Sequence, residues 1–493
     1  MYSSALPVGI ARLLFFRGSP TLPRMSLPPG PLLHPAVQLY RWIFRPLEFL
    51  SECRARFGDP FTLRIAGAGT WIVTDSPDTI REVWSAGPNE MHAGKANEPL
   101  RPFLGENSLL MLDGERHLRI RRLMLPPLRG ERMAAYGSAM LEIAQGSIDR
   151  WPFGRPFPIH ARFQAITMDV ILRTVFGVEG ASRHAELASV FETLLRIGAW
   201  PPLLIPAFQV DLGPLSPWGR FLRVGERADR LLRDEIDRRR REGTAGRTDV
   251  LSLLVDARDE EGKPMSVEEL RDELVTLLVA GHETTATSLA WALRWILPDA
   301  ALLGRLRDEI RTAEDGSGSL DPARVAKLEL LDAAVRETLR LSPVVPLVAR
   351  ELMRPVRAGG FDLPVGVRLL PCIHLAQRRP EAFPNPERFD PDRFLQKSAK
   401  ISPSEWFPFG GGIRRCVGMA FAMYEMKMVL AAVLSRATLR LASRRPIRPV
   451  RRAITLSPSE GLPVVLLARA PRSGPPRARR EGATSNTTEL PTN

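Results

Sequence analysis

The segment with the clearest chemical signature surrounds a cysteine late in the chain, Cys416. It reads FGGGIRRCVG over residues 409–418, and a helical pattern follows it to about Ser435. Three successive glycines remove side-chain bulk and permit positive φ, so the backbone can lie flat against a large partner. The dipole and free N–H groups of the coming helix, together with Arg414 and Arg415, favour a thiolate. A soft thiolate beside room for a planar ligand suits a haem iron.

Other interpretations of this segment stay open from its residues alone. A cysteine that follows a turn is often a buried and inert side chain. A dinucleotide-binding Gly-x-Gly-x-x-Gly loop is excluded, because Arg415 stands where the last glycine is needed. The sequence has no Cys-x-x-Cys pair, so a zinc or iron–sulfur site has no support.

A second group of reactive side chains lies at residues 280–285, which read AGHETT within a long helical pattern. Gly281 and Thr284 share one helix face. A glycine in mid-helix costs about 1 kcal/mol relative to alanine, which suits a place where another group must fit. Glu283 beside Thr284 pairs a carboxylate with a hydroxyl, as a proton relay requires. The alternatives are helix packing around a small residue and a zinc His-Glu-x-x-His motif, but the latter fails at Ala286.

Two further pairs have helical spacing. His117 and Arg121 are four residues apart, and Glu337 and Arg340 are three apart, so each pair projects from one side of a helix. Alone, either pair is typical of a solvated surface and contributes little to stability.

Together these segments resemble the cytochrome P-450 family. The cysteine segment is similar to its haem-binding loop, Phe-x-x-Gly-x-Arg-x-Cys-x-Gly. The fixed positions are matched by Phe409, Gly412, Arg414, Cys416 and Gly418. Residues 280–285 resemble the family's Ala/Gly-Gly-x-Asp/Glu-Thr-Thr motif, 337–340 its Glu-x-x-Arg helix, and 117–121 its His-x-x-x-Arg segment. The resemblance extends from about Pro28 to Leu467, with the motifs in the family's order.

The resemblance implies that Cys416 is the axial ligand of haem b. The other cofactor-binding residues that it implies are Phe409, Gly410, Arg414, His117, Arg121, Arg350, Ala280 and Gly281. Of these, Phe409 would pack beside the sulfur, and the histidine and three arginines would hold the propionates. By the same match, Thr284 would hydrogen-bond dioxygen and Glu283 would help to deliver protons. Arg393 would join Glu337 and Arg340 in a buried triad.

The expected fold is mainly α with a small β-rich portion, the cytochrome P-450 fold, with haem between a long central helix and the Cys loop. The long helix is predicted from about Val267 to Leu297, with a capping box at Ser266 and Glu269 and a stop at Pro298. Residues 61–65 and 70–73 read as a hairpin. Residues 1–24 are predicted to be a flexible extension, 25–470 a single domain, and 471–493 a disordered tail.

Charge and cysteine content indicate which partners and which cellular compartment to expect. The 69 Lys+Arg against 55 Asp+Glu give a net charge of +14. This fits a generally basic surface, or one that steers an acidic partner, nucleic acid or a membrane; we expect no nucleic acid. Three cysteines cannot form a disulfide framework in this length, so a reducing, cytoplasmic compartment is expected. The apolar stretches are too short for a transmembrane anchor, although peripheral membrane contact by residues 190–215 stays open.

The resemblance implies a monooxygenase that inserts one atom of dioxygen into an apolar organic substrate by hydroxylation or epoxidation. Terpenoids, fatty acids and polyketides are the expected substrate classes. Substrate contacts are expected from residues 95–111 and 190–215, the long helix, Val344–Val348 and the turn near Ser457–Leu462. Electrons would come from NAD(P)H through a separate ferredoxin or flavodoxin and its reductase. The alternatives are a peroxygenase or isomerase, or a non-catalytic haem- or ligand-binding protein. Glu283 and Thr284 argue against the first two, which commonly lack such a pair.

Overall fold

The computed structural model describes residues 27–130, 132–205, 208–395, 401–443 and 445–471. The expectations for residues 1–24 and for nearly all of 471–493 lie outside these residues. The helices are α1 (Pro35–Phe44), α2 (Pro46–Phe57), α3 (Pro77–Ser85), α4 (Ala93–Ala96), α5 (Arg101–Leu104), α6 (Gly114–Met124), α7 (Arg132–Asp149), α8 (Ile159–Val170), α9 (Ala181–Gly198), α10 (Pro217–Glu242), α11 (Val250–Asp256), α12 (Val267–Ile296), α13 (Ala300–Arg311), α14 (Pro322–Val325), α15 (Glu329–Leu341), α16 (Ile373–Ala376), α17 (Asp392–Leu395) and α18 (Met419–Arg436).

In the part of the chain that the structure describes, the strands are short and form four sheets. They are β1 (Phe61–Ile65), β2 (Gly69–Thr74), β3 (Met91–His92), β4 (Pro156–Pro158), β5 (Arg350–Leu352), β6 (Val356–Ala358), β7 (Phe361–Leu363), β8 (Arg368–Pro371), β9 (Ala437–Leu441), β10 (Pro449–Arg452), β11 (Thr455–Pro458) and β12 (Pro463–Arg469). The orders are β1-β2-β8-β5-β3, β4-β12-β9, β6-β7 and β10-β11. β1 and β2 pair antiparallel from Phe61 opposite Val73, which confirms the predicted hairpin.

The long helix α12 forms the centre of the fold. Its first turn is closed by the predicted capping box, in which Ser266 and Glu269 each accept a backbone N–H of the other. Its 30 residues span about 45 Å at 1.5 Å per residue. It packs against α8, α10, α15 and α18 and the β11 strand. Because helices surround it, 18 of its 30 residues are buried.

The β10–β11 hairpin ties distant parts of the chain to α12. Trp291 Nε1 of α12 donates to the carbonyl of Leu456, 2.9 Å away. At the turn, the N–H of Ala453 donates to the carbonyl of Ala199 at the end of α9. Arg451 Nη2 donates to the carbonyl of Trp42 in α1. The hairpin is therefore held from three sides.

A buried ion network fixes the segment before the Cys loop. Glu337 and Arg340 of α15 are both fully buried and 2.6 Å apart at closest approach. Arg393 Nε lies 3.1 Å from Glu337 Oε1, which confirms the predicted triad. Arg340 also donates to the carbonyls of Gln377 and Pro386. The network thus joins α15 to two later segments.

No helix within the described ranges is long and apolar enough to cross a membrane.

Candidate functional site

The Cys loop, residues 409–418, contains a 3₁₀ turn at Gly412–Arg414 and leads into α18. The N–H of Cys416 donates to the carbonyl of Phe409, 2.9 Å away, and closes the loop. Gly410 and Gly412 have φ of 66° and 62°, which a residue with a Cβ seldom adopts. The backbone N–H of Gly418, just before α18 begins at Met419, lowers the pKa of the Cys416 thiol. The loop therefore presents the thiol at the N-terminus of a helix, as the sequence predicts.

Trp84 of α3 explains two of the three glycines. A Cβ on Gly411 would lie 2.5 Å from Trp84 Cε2, and one on Gly412 would lie 2.5 Å from the Trp84 carbonyl oxygen. Both distances are far below contact distance, so side chains there would displace the loop or the tryptophan. At Gly411 and Gly412, therefore, the absent side chains make room for Trp84. The third glycine, Gly410, would place a Cβ at an ordinary 3.7 Å from Val348 Cγ1.

The thiol of Cys416 is exposed and yet surrounded by protein. Desolvation by these surroundings raises the pKa of the thiol, while the Gly418 N–H and the charges of Arg121 and Arg415 lower it. The exposure of Cys416 and the desolvation of its thiol are both explained if the sulfur faces a space enclosed by the fold. In the middle of α12, Ala280 is exposed although residues 272–276 and 285–293 are buried. Such an opening in a central helix indicates room for a ligand there.

Four of the predicted cofactor-binding residues form one basic cluster. Burial, followed by the charges of Arg414, Arg121 and Arg350, lowers the pKa of His117 to about 3. Burial, and then the charge of Arg414, lowers the pKa of Arg350 to about 9. Burial likewise lowers the pKa of Arg414 to about 10, opposed by Asp113. Mutual repulsion of this kind favours binding of an anion between the cations.

The cluster has donors without protein partners. His117 Nδ1 and Trp84 Nε1 are buried without a hydrogen-bond partner. Within the described ranges, no carboxylate lies at ion-pair distance from Arg121 or Arg350. A ligand with two carboxylates would satisfy both donors and cations, so these residues fit haem propionates. Arg414 differs from the others because it already pairs with Asp113 and donates to the carbonyl of Leu112.

Trp84, His92 and Asp113 belong to this site, although no sequence pattern singles out the first two. His92 Nδ1 lies 3.7 Å from Asp113 Oδ2, and neither ring nitrogen of His92 has a hydrogen-bond partner. Asp113 lies in the Asp-Gly turn before α6, where only its turn-forming character is visible in the sequence. Its pairing with Arg414 joins residues from two distant parts of the chain.

Glu283 and Thr284 of α12 have different surroundings. Thr284 Oγ1 donates to the carbonyl of Ala280, within the exposed part of the helix. Glu283 instead contacts α8 and the β10–β11 hairpin, with Gln164 Nε2 donating to its Oε2 over 2.6 Å. Burial raises the pKa of Glu283, and Arg452, Gln164 and Thr287 oppose that effect. The carboxyl is thus held ready to bind a proton more readily than a solvated glutamate does.

The start of α12 anchors the segment 105–110. Asp272 Oδ2 accepts the N–H of Asn107 over 2.9 Å, and Glu273 Oε1 accepts the N–H of Leu109 over 2.6 Å. Thr276 Oγ1 donates to Ser108 Oγ. A segment without regular structure is therefore ordered by bonds to the central helix. It falls within residues 95–111, where we expect substrate contacts.

The family model described as Cytochrome P450 matches residues 26–463. The chain belongs to the cytochrome P450 family. It is 41% identical over 460 residues to cytochrome P450 135B1 of Mycobacterium tuberculosis, covering 93% of this chain and 95% of that one. It is 34% identical over 456 residues to cytochrome P450 138 of the same organism, covering 92% and 98%.

Among solved structures, the retinoic-acid-bound cyanobacterial CYP120A1 has 25% sequence identity and a TM-score of 0.78. The superposition covers 90% of this chain and 100% of that one. As a P450, the protein is a monooxygenase with haem as its cofactor. P450s generally receive electrons from redox partners and bind apolar substrates. The expected fold, mainly helical with a small β-rich portion, is confirmed.

Proposed function

We propose that Cys416 is the axial thiolate ligand of haem b, bound between α12 and the Cys loop. The observation that carries the proposal is the exposed thiol at the N-terminus of α18, where the Gly418 N–H and the charges of Arg121 and Arg415 favour the thiolate. A thiolate ligand pushes electron density onto the iron and favours cleavage of the O–O bond of dioxygen. His117, Arg121, Arg350 and Arg414 hold the propionates. The faces of the cofactor are contacted by Phe409, Gly410, Ala280 and Gly281.

Thr284 and Glu283 handle protons on the α12 side of the site. The Thr284 hydroxyl, now bonded to the Ala280 carbonyl, can exchange that bond for one to a ligand in the adjacent space. Glu283 stores a proton, because its burial favours the neutral acid. Together they supply protons to the reacting atoms. The electrons come from NAD(P)H through a ferredoxin or flavodoxin and its reductase.

Replacing Thr284 with alanine should uncouple electron consumption from product formation, because the hydroxyl that orders the proton donor is lost. Product per NAD(P)H should fall by about tenfold or more, since a positioned acid typically contributes about 10²–10⁴-fold. Glu283→Gln should act in the same direction. Hydrogen peroxide and product are measured together with NAD(P)H oxidation. Thr174→Ala is a matched control, since Thr174 makes the same bond to the carbonyl four residues earlier.

The same variants separate the proposal from its alternatives. A peroxygenase would form product from hydrogen peroxide without a reductase, whether or not Glu283 and Thr284 are present. An isomerase or a ligand-binding protein would consume no NAD(P)H in a substrate-dependent manner. Either result would contradict the monooxygenase cycle proposed for these residues.

The substrate is proposed to be an apolar organic molecule, such as a terpenoid, fatty acid or polyketide, that is hydroxylated or epoxidised. Support comes from the apolar segments expected to line the site, including Val344–Val348. The cyanobacterial P450 that holds retinoic acid gives further support, since that ligand is a long apolar chain with one polar end. The anchored segment 105–110 would form part of the wall.

An acidic redox partner is proposed to dock beside the Cys loop. Arg415 is exposed there and has no carboxylate partner among the residues described. A cavity of about 190 Å³ lies against the loop, lined by Trp84, Trp406, Phe407 and Arg415 among others. An exposed arginine beside such a cavity increases the association rate with an acidic surface.

Arg415→Glu should therefore slow reduction by a ferredoxin severalfold at low salt, and the difference should shrink as salt screens the charges. Stopped-flow reduction of the haem at two ionic strengths measures this. Arg357→Glu, which makes the same charge change at an exposed position in β6, is the control. Reduction rates that change neither with ionic strength nor with the Arg415 substitution would contradict the docking proposal.

We further propose a single P450 domain over residues 25–470, a cytoplasmic location and no nucleic-acid partner. The three unpaired cysteines support a reducing compartment. Peripheral membrane contact is compatible with the exposed apolar side chains near the end of α9, among them Trp200, Phe208, Leu212 and Leu215.

A further inference from the structure

The segment 107–113 connects the start of α12 to an arginine of the Cys loop, Arg414. At the α12 side, Glu273 Oε1 accepts the N–H of Leu109 over 2.6 Å. The carbonyl of Leu109 in turn accepts a hydrogen bond from Arg414 Nη1 over 3.3 Å. One buried residue therefore makes both contacts. The place of the Leu109 carbonyl, and with it one bond of Arg414, depends on Glu273.

The other end of the segment, Asp113, is fixed by the backbone of α4. Its Oδ1 accepts the N–H of Gly94 over 2.9 Å, and its Oδ2 accepts the N–H of Lys95 over 3.1 Å. A Cβ on Gly94 would lie 2.6 Å from Asp113 Oδ2 and 2.1 Å from the Met111 carbonyl oxygen, so the close approach requires a glycine. From this fixed place Asp113 forms its ion pair with Arg414.

The segment occupies three of the five N–H donors that a guanidinium has. Arg414 Nη1 donates to the Leu109 carbonyl, and Nη2 donates to the Leu112 carbonyl and to Asp113 Oδ1. The Nε–H and the second Nη1–H have no acceptor among the residues that the structure describes. An anionic ligand of Arg414 therefore shares this guanidinium with the segment, and it gains more donors only if the segment releases them.

The two acids that hold Arg414 contribute in different ways. The side chains of Arg414 and Asp113 are only 8% and 14% exposed, so water screens the attraction between them poorly. Glu273 is fully buried, and burial raises the pKa of its carboxyl well above the ordinary value, against the effect of the Leu109 N–H. Asp113 thus supplies a counter-charge, whereas Glu273 supplies a neutral hydrogen-bond acceptor.

We propose that Asp113 and Glu273 are positioning residues that restrain the Arg414 guanidinium from binding its haem propionate fully, and that they thereby lower the reduction potential of the haem. The inference rests on the proposed role of Arg414 in holding a propionate. A guanidinium shared with Asp113 and two carbonyls neutralises less of the propionate charge. Negative charge left close to a buried redox centre disfavours the uptake of an electron.

A spectroelectrochemical titration of the substrate-free holoenzyme tests the role of Asp113. Asp113→Asn should raise the potential, because Arg414 loses its counter-charge and turns more of its donors to the propionate. The equilibrium constant for one-electron reduction should rise about tenfold, as expected for one charge close to a buried group, which corresponds to about 59 mV. Asp259→Asn is the matched control. Asp259 pairs over 2.6 Å with Arg119, which lies on the opposite side of α6 from His117, so the potential should not change.

A double variant decides whether Asp113 acts through Arg414. Arg414→Gln alone should lower the potential and weaken haem retention, because a propionate loses a cation. In the Arg414→Gln background, the further change Asp113→Asn should have a much smaller effect than in the unmodified protein, since there is no guanidinium to release. Shifts that add in full would mean that Asp113 acts by its own charge, and they would overturn its positioning role.

Substitutions of Glu273 test the hydrogen bond to Leu109. Glu273→Gln keeps an oxygen that accepts the Leu109 N–H and should leave the potential unchanged. Glu273→Met removes the acceptor, so the Leu109 amide should exchange faster with deuterium, and the same equilibrium constant should rise about twofold or more. Glu273→Leu repeats the test with another shape if the methionine variant folds poorly. Glu309→Met, the control, removes the carboxylate that accepts the N–H groups of Leu330 and Leu331 over 2.8 and 2.9 Å, and the potential should not change.

The outcomes distinguish this inference from the role proposed for Arg414. If Arg414→Gln changes neither the potential nor haem retention, the proposed role of Arg414 is wrong. If Arg414→Gln lowers the potential but Asp113→Asn behaves like Asp259→Asn, the inference is overturned. Faster exchange of the Leu109 amide at an unchanged potential overturns the role of Glu273. A raised potential in Asp113→Asn and Glu273→Met, with most of the Asp113 effect lost in Arg414→Gln, supports both parts.

Discussion

Replacement of Cys416 with serine is expected to abolish the thiolate-type Soret band of the reduced carbon monoxide complex. A serine hydroxyl does not ionise at neutral pH and cannot replace the electron donation of a thiolate. The loop should persist, because its closing bond joins the backbone N–H of residue 416 to the Phe409 carbonyl. The absorption spectrum of the dithionite-reduced, CO-saturated protein measures the loss directly.

The other cysteines provide matched controls. Burial raises the pKa of Cys53 to about 11 and that of Cys372 to about 12, so both stay protonated thiols. Cys53→Ser and Cys372→Ser should therefore keep the thiolate band. A band typical of histidine ligation in the folded, unmodified protein would refute the assignment of Cys416. So would a thiolate band that survives in Cys416→Ser.

Replacement of Glu337 with glutamine is expected to destabilise the fold strongly. It leaves the guanidinium of Arg340 fully buried without its counter-charge, which typically costs about 3–5 kcal/mol. Arg393 would lose the same partner. Because the network holds the segments before the Cys loop, loss of haem should accompany unfolding. Urea unfolding followed by circular dichroism and by haem absorbance measures both.

An exposed pair gives the comparison for this substitution. Glu98 and Arg101 also lie three residues apart and pair at 2.8 Å, but both are accessible to water. Glu98→Gln should cost at most about 1 kcal/mol, because solvent screens such pairs. If Glu337→Gln unfolded at the same urea concentration as Glu98→Gln, the buried network would not be the structural support described above.

The features that the sequence predicts well are those determined locally. The capping box of α12 needs only Ser266 and Glu269, three residues apart, and its end follows from Pro298. The β1–β2 hairpin likewise depends on alternating apolar residues around a glycine-containing turn. The grouping of His117, Arg121, Arg350 and Arg414 was also expected, but from the family resemblance rather than from spacing. Their roles towards haem stay predictions.

The features that were missed depend on contacts between distant segments. In the sequence, Trp84 is an ordinary apolar residue near the end of a helix. No neighbouring residue indicates that it contacts Gly411 and Gly412. Arg452 is one of many arginines, and only the fold brings it 3.4 Å from Glu283. The same holds for Asp113, which pairs with Arg414 from the other end of the chain. Charge and size alone do not specify a partner, since the chain has 69 basic residues.

The fit between Trp84 and the loop glycines has a consequence for how the protein can change. A single methyl group at position 411 would overlap the indole ring of Trp84. Positions 84 and 411 therefore cannot vary independently: a larger residue at one requires a smaller residue at the other. A mutant library that randomises the Cys loop alone would discard every variant at 411. Randomising codons 84 and 411 together would allow larger residues at 411 whenever a smaller residue replaces Trp84. Single substitutions at 411 cannot reach these combinations.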